Sequence, residues 1–61
     1  MTSNDLRQMV LTLLDAADVL HVVAEAAGPM RQEVSVRELG VRSVATCLLE
    51  MARDAERGER S

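Results

Sequence analysis

Few side chains in this 61-residue chain could do chemistry. His21 is the only histidine. Glu25 follows it by one helical turn, so two such pairs brought together across a symmetry axis would supply four metal ligands. Metal sites in helical bundles normally combine several carboxylates with their histidines, and no such group converges in this sequence. We therefore expect His21 to lie half-solvated at the edge of an apolar helix face, and we expect neither a metal nor another cofactor.

Two further candidates for chemistry are a carboxylate pair and a thiol. Asp15 and Asp18 are neighbours on one helix face, but acid–base catalysis would require a cleft that shifts one pKa. We expect both to be solvated. Cys47 is the only cysteine, and its position within a helix supplies neither a helix N-terminus nor a cation to activate it. We expect a small buried side chain there. The sequence thus predicts no catalytic residue and a protein that is not an enzyme.

Composition limits how this chain can be stabilised and what it can bind. Hydrophobic residues make up 48% of the sequence, with no aromatic residue, and the net charge is −3. The negative charge argues against nucleic acid or an anionic membrane as partner. Domains of this size usually need disulfides, a metal or association. Since one cysteine and one histidine can supply neither of the first two, association is expected.

The first half of the chain predicts one long helix, from about residue 4 to 27, with Thr2 or Ser3 as its N-cap. Apolar residues recur at alternating steps of four and three, and Gly28-Pro29 ends the pattern. Apolar residues also flank this line on both sides, so the helix should contact more than one neighbour. Acidic residues interrupt the apolar run, which excludes a membrane span. No signal peptide is visible, and a cytoplasmic protein is expected.

The second half predicts another helix, from about residue 36 to 57. Ser35 and Glu38 fit a capping box, flanked by the apolar pair Val34 and Leu39. The alternation of residues 33–37 also fits a short strand. Gly40 would allow a close approach of the first helix or would break the segment. Residues 58–61 have nothing to bury and are expected to fray.

These patterns predict an all-α fold. A single domain, residues 1–61, forms an antiparallel helical hairpin that dimerises into a four-helix bundle. A different chain could complete the same bundle. The residues predicted to form the core and the dimer contact are Leu6, Val10, Leu13, Leu20, Val41, Val44, Leu48 and Met51.

The function expected of such a chain is binding to another protein, as an adaptor, antagonist or assembly factor. An acidic stripe could steer a basic partner, and exposed apolar side chains could dock it. The stripe comprises Asp15, Asp18 and Glu25, and the apolar positions are Leu11, Val22 and Val36. The alternative is a small DNA-binding regulator that uses the arginine-bearing second helix.

Overall fold

Two long antiparallel helices make up this protein. The computed structural model describes the backbone of residues 1–60 and the side chains of residues 1–59. Helix α1 spans Ser3–Ala26, a 3₁₀ turn spans Gly28–Met30, and helix α2 spans Arg31–Arg60. The predicted all-α hairpin is confirmed. It is thin and elongated, measuring 51 × 14 × 13 Å.

Helix α1 begins with a capping box formed by Thr2, one of the two predicted N-caps, and Asp5. The backbone N–H of Asp5 donates to the Thr2 hydroxyl at 3.2 Å, and the Thr2 N–H donates to the Asp5 carboxylate at 3.0 Å. The hydrogen bond from the Thr2 backbone is the main reason that the pKa of Asp5 lies below its ordinary value. Gly28 ends the helix with a φ of +60°, a left-handed conformation that glycine adopts without steric cost.

Helix α2 begins five residues earlier than predicted. The Met30 N–H donates to the Ala27 carbonyl, and the Arg31 N–H donates to the Gly28 carbonyl. The 3₁₀ turn therefore leads directly into α2, and Ser35 lies inside the helix instead of capping it. The strand alternative for residues 33–37 is also wrong. Residues 31–33 (Arg, Gln and Glu) are good helix formers, and they outweigh the β preference of the two valines that follow.

The far end of α2 also differs from the prediction. Residues 58–60 continue the helix, and the Ser3 hydroxyl donates to the Glu59 carboxylate at 3.0 Å. Glu59 therefore fastens this segment to the start of α1. The last residue of the predicted frayed tail, Ser61, lies outside the described residues.

The contact between the two helices is made by small side chains. The buried hydrophobic residues are Leu6, Val10, Ala17, Ala24, Ala45 and Ala52. We call this line of contact the alanine seam, because four of the six are alanine. Val44 and Met51, which the sequence pattern put in the core, are 52% and 54% exposed and lie to one side of the seam. Small side chains at such contact positions allow a short distance between the helix axes.

Gly40 lies within α2 and lines an open depression. A Cβ atom added there would have no neighbour within 4 Å, so the predicted close approach of α1 to this glycine is wrong. The helix does not break there either. Glycine costs about 1 kcal/mol relative to alanine in a helix interior, and no neighbour among the described residues requires a glycine here.

Candidate interaction surfaces

The hairpin has two flanks, one on each side of the alanine seam. On the first, which we call the polar face, charged side chains of the two helices meet. Arg7 donates two hydrogen bonds to Glu56, at 2.6 and 2.7 Å. Planar guanidinium and carboxylate groups match in this two-bond geometry, and the bonds to Glu56 raise the pKa of Arg7.

A second polar cluster lies nearer the turn. Arg42 donates to Glu38 at 3.0 Å and to Asp18 at 3.3 Å. His21 lies 3.3 Å from Glu38 and 3.3 Å from Glu25. The hydrogen bond from Arg42 is the largest cause that lowers the pKa of Glu38, and the contact with His21 adds to it. Glu38, whose side chain is 13% exposed, thus links the two helices at this end.

These contacts assign the acidic stripe a partly structural role. Asp18 forms an ion pair with Arg42 of α2, and Glu25 lies 3.3 Å from His21 on its own helix. Asp15 has no ion pair among residues 1–59. The three carboxylates are therefore not equivalent, because Asp15 has neither an ion pair nor a histidine contact among the described residues.

The residues considered for catalysis or metal binding do not form a site. Cys47 is exposed, which corrects the expectation of a buried thiol, because the inward positions of α2 are taken by Ala45 and Leu48. Within the described part of the chain, no three His, Cys, Asp or Glu side chains are arranged to hold a metal ion. His21 is largely solvated, with 60% of its side chain exposed.

The second flank, which we call the apolar face, holds two open depressions that meet at Leu13. One, of about 700 Å³, extends toward the open end of the hairpin and includes Asp5. The other, of about 610 Å³, extends toward the turn and includes Arg37 and Gly40. The remaining walls are mainly apolar. Besides those named, the lining residues are Met1, Gln8, Met9, Thr12, Leu20, Val41, Val44 and Leu48.

Most residues predicted for the dimer contact fall on or beside this face. Leu13, Leu20, Val41 and Leu48 are half-buried lining residues. Met51 stands seven residues after Val44 and so shares its side of α2. Leu6 and Val10 instead belong to the alanine seam. Leu11, Val22 and Val36 are exposed and line neither depression, so the hairpin does not bring them together with the apolar face.

Sequence reasoning missed the ion pairs between the helices, although a signal for them was present. In this antiparallel hairpin, a residue of α1 lies beside a residue of α2 when their two numbers add up to about 61. Arg7 with Glu56 and Asp18 with Arg42 satisfy this condition and carry opposite charges. Testing oppositely charged residues of the two predicted helices against this sum would have found both pairs.

Neither helix within the described residues is long and apolar enough to cross a membrane. No family model, curated protein or solved structure matches this chain.

Proposed function

We propose that this protein is a non-enzymatic protein–protein interaction module that works as a homodimer, in which two hairpins form a four-helix bundle. The observation that carries this proposal is the uncovered apolar face. Large aliphatic side chains such as Val44 and Met51 are more than half exposed there. Small monomeric proteins rarely leave a continuous apolar surface of this kind open to water.

The overall dimensions support the same proposal. A compact chain of this length has a radius of gyration of about 10.5 Å, whereas the hairpin has one of 14.4 Å. The accessible surface is 4556 Å², roughly 650 Å² more than a compact monomer of this mass exposes. A standard interface buries about 800 Å² on each partner. The surplus is thus of the size that one such contact removes.

In the proposed dimer, the outward surfaces remain available to a different protein. Leu11, Val22 and Val36 lie away from the apolar face and stay exposed, and Asp15 adds an unpaired negative charge. An adaptor, antagonist or assembly factor would use these positions. We assign this protein to the cytoplasm because the exposed thiol of Cys47 suits a reducing compartment.

Sedimentation analysis at several protein concentrations tests the dimer. The expected mass is twice the 6.7 kDa of the chain. Val44→Arg should dissociate the dimer because it puts two charges into the apolar contact. Val36→Arg is the matched control, since Val36 is also an exposed valine of α2, on a side that lines neither depression. A wild-type protein that stays monomeric, or equal effects of the two variants, would contradict the proposal.

The DNA-binding alternative finds little support in the charges of α2. Arg42 contacts Glu38 and Asp18, Arg37 contacts Glu33 at 3.5 Å, and Arg57 pairs with Asp54. Each of these arginines has a carboxylate beside it, which reduces the positive charge available to a phosphate backbone. We therefore retain the interaction module as the single proposal.

A further inference from the structure

The charged side chains on the apolar face indicate how a second copy would lie on it. Among the side chains that line its two depressions, one in each depression is charged, and the two charges are opposite. Asp5 borders the depression at the open end, and Arg37 borders the depression near the turn. Leu13 lines both depressions and marks the middle of the face.

The two charges lie at similar distances from that middle. Leu13 and Leu48 line the same depression, and they are level with each other because their numbers add up to 61. Asp5 is eight residues from Leu13, or about 12 Å along α1, and Arg37 is eleven residues from Leu48, or about 16 Å along α2. The charges therefore stand on opposite sides of the Leu13 level, one toward each end of the hairpin.

We propose that the apolar face is covered by a second copy of this chain in an inverted orientation, related by a two-fold axis that lies between the two apolar faces, passes near Leu13 and runs at right angles to the helices. This inference rests on the proposed dimer and specifies its geometry. The axis places the open end of each copy over the turn end of the other, so each acidic end lies over the partner's arginine-bearing end. A two-fold axis parallel to the helices would instead stack like ends together and bring like charges to the same end.

Other features of the face agree with a second copy as the occupant. The partner layer has the same length, so it covers the whole apolar face and leaves no apolar overhang. Gly40 lies in the open depression near the turn, where an added side chain would meet nothing in the single hairpin. The partner layer supplies a reason for this glycine, because a missing side chain leaves room for one from the other copy. Arg37 can reach across because its side chain is 72% exposed, and a carboxylate of the second copy would then compete with Glu33, which lies 3.5 Å away.

Spin labels measure the orientation directly. Cys47 is exposed, adjacent to Leu48, and so lies near the middle of the hairpin. Labels on Cys47 in the two copies should be under about 30 Å apart in either orientation, which calibrates the measurement. A label on Gln32→Cys, in a Cys47→Ser background, lies near the turn. In the inverted dimer the two labels should be about 45 Å or more apart, whereas like-end stacking would put them about 35 Å or less apart.

Charge reversal provides a second, independent measurement. Arg37→Glu should weaken the dimer about tenfold at low salt and less at high salt, because two favourable contacts become unfavourable. The matched control is Arg53→Glu, which also adds an acidic residue near another carboxylate but lies outside the apolar face. Asp5 itself is left unchanged because it belongs to the cap of α1.

The results separate the two proposals. A dimer with distant Gln32→Cys labels, and weakened by Arg37→Glu alone, supports the inverted arrangement. A dimer with close labels, or with equal effects of the two arginine variants, overturns the arrangement and leaves the proposed function standing. A protein that remains monomeric at every concentration overturns both.

Discussion

The two flanks of this hairpin are built from the same two helices and yet are completed in different ways. On the polar face, Arg7 of α1 pairs with a carboxylate of α2, and Arg42 of α2 pairs with a carboxylate of α1. The charged groups of both arginines stay in contact with water. On the apolar face, the described aliphatic side chains are only half-buried or are exposed. Charged groups can satisfy one another at a solvated surface, whereas apolar groups gain only when water is removed. A two-helix layer can therefore complete one flank by itself, and the other flank requires another layer.

The largest difference between the flanks should come from a charge placed on the apolar face. Leu13→Asp should abolish the folded dimer, because the carboxylate would be desolvated without a partner, at a cost of several kcal/mol. Leu11→Asp is the control, since Leu11 is 55% exposed and lines neither depression. Urea unfolding followed by circular dichroism gives both values. A folded, soluble Leu13→Asp monomer would contradict the assigned role of this face.

A cap variant sharpens the comparison because it weakens the hairpin without touching either flank. Thr2→Ala removes the hydroxyl that accepts from the Asp5 N–H and should cost about 1 kcal/mol, with little dependence on salt. Ser35→Ala should cost almost nothing, because Ser35 lies inside α2. Thermal melts of both variants test this pair. Equal losses would show that Ser35 caps a helix in solution.

The contribution of the polar face to stability should depend on pH. The pKa of Glu38 is held below its ordinary value of 4.5, chiefly by the hydrogen bond from Arg42. Its contribution to stability is therefore complete above pH 4.5 and is lost as the pH falls through the lowered pKa. Glu38→Gln should melt below wild type at pH 7, and the two melting curves should converge in acid. A gap that persists at pH 2 would mean that the glutamate acts through packing.

The smallest expected effect separates two neighbouring carboxylates. Asp18→Asn loses the contact with Arg42 and should lower the melting temperature slightly, more at low salt than at high salt. Asp15→Asn should leave it unchanged, since Asp15 has no ion pair in the described part of the chain. Identical melting temperatures at low salt would mean that the Asp18 contact contributes nothing. If a natural partner is basic, Asp15→Asn should still slow its association.

Much of the fold could be read from the sequence because its signals are local. Three signals act within one or two helical turns, namely the spacing of apolar residues, the Thr2 cap and the glycine at position 28. Together they predicted the extent of α1 and the position of the turn. The start of α2 was harder, because Ser35 and Glu38 also match a capping box when they lie inside a helix. Only the backbone bonds of the 3₁₀ turn decide between these alternatives.

The apolar faces were harder to divide between seam and surface. Val44 and Ala45 are adjacent, and both fit an apolar stripe. Which of them faces α1 depends on how closely the helices approach, and that distance is a property of the pair. Hydrophobicity alone favoured the larger residue, whereas close packing of the backbones favours alanine. The sequence thus identified the residues that need covering but did not tell which of them the hairpin itself covers.

The alanine seam has a consequence for how the amount of protein governs its own folding. Alanine side chains contribute little transfer free energy, because each buries only one methyl group. In the proposed dimer, most of the stabilising burial then comes from the second copy, and folding and association become a single equilibrium. By mass action, the melting temperature should rise with protein concentration. Dilution alone would unfold the chain, so the protein concentration would determine the fraction that is folded and able to act.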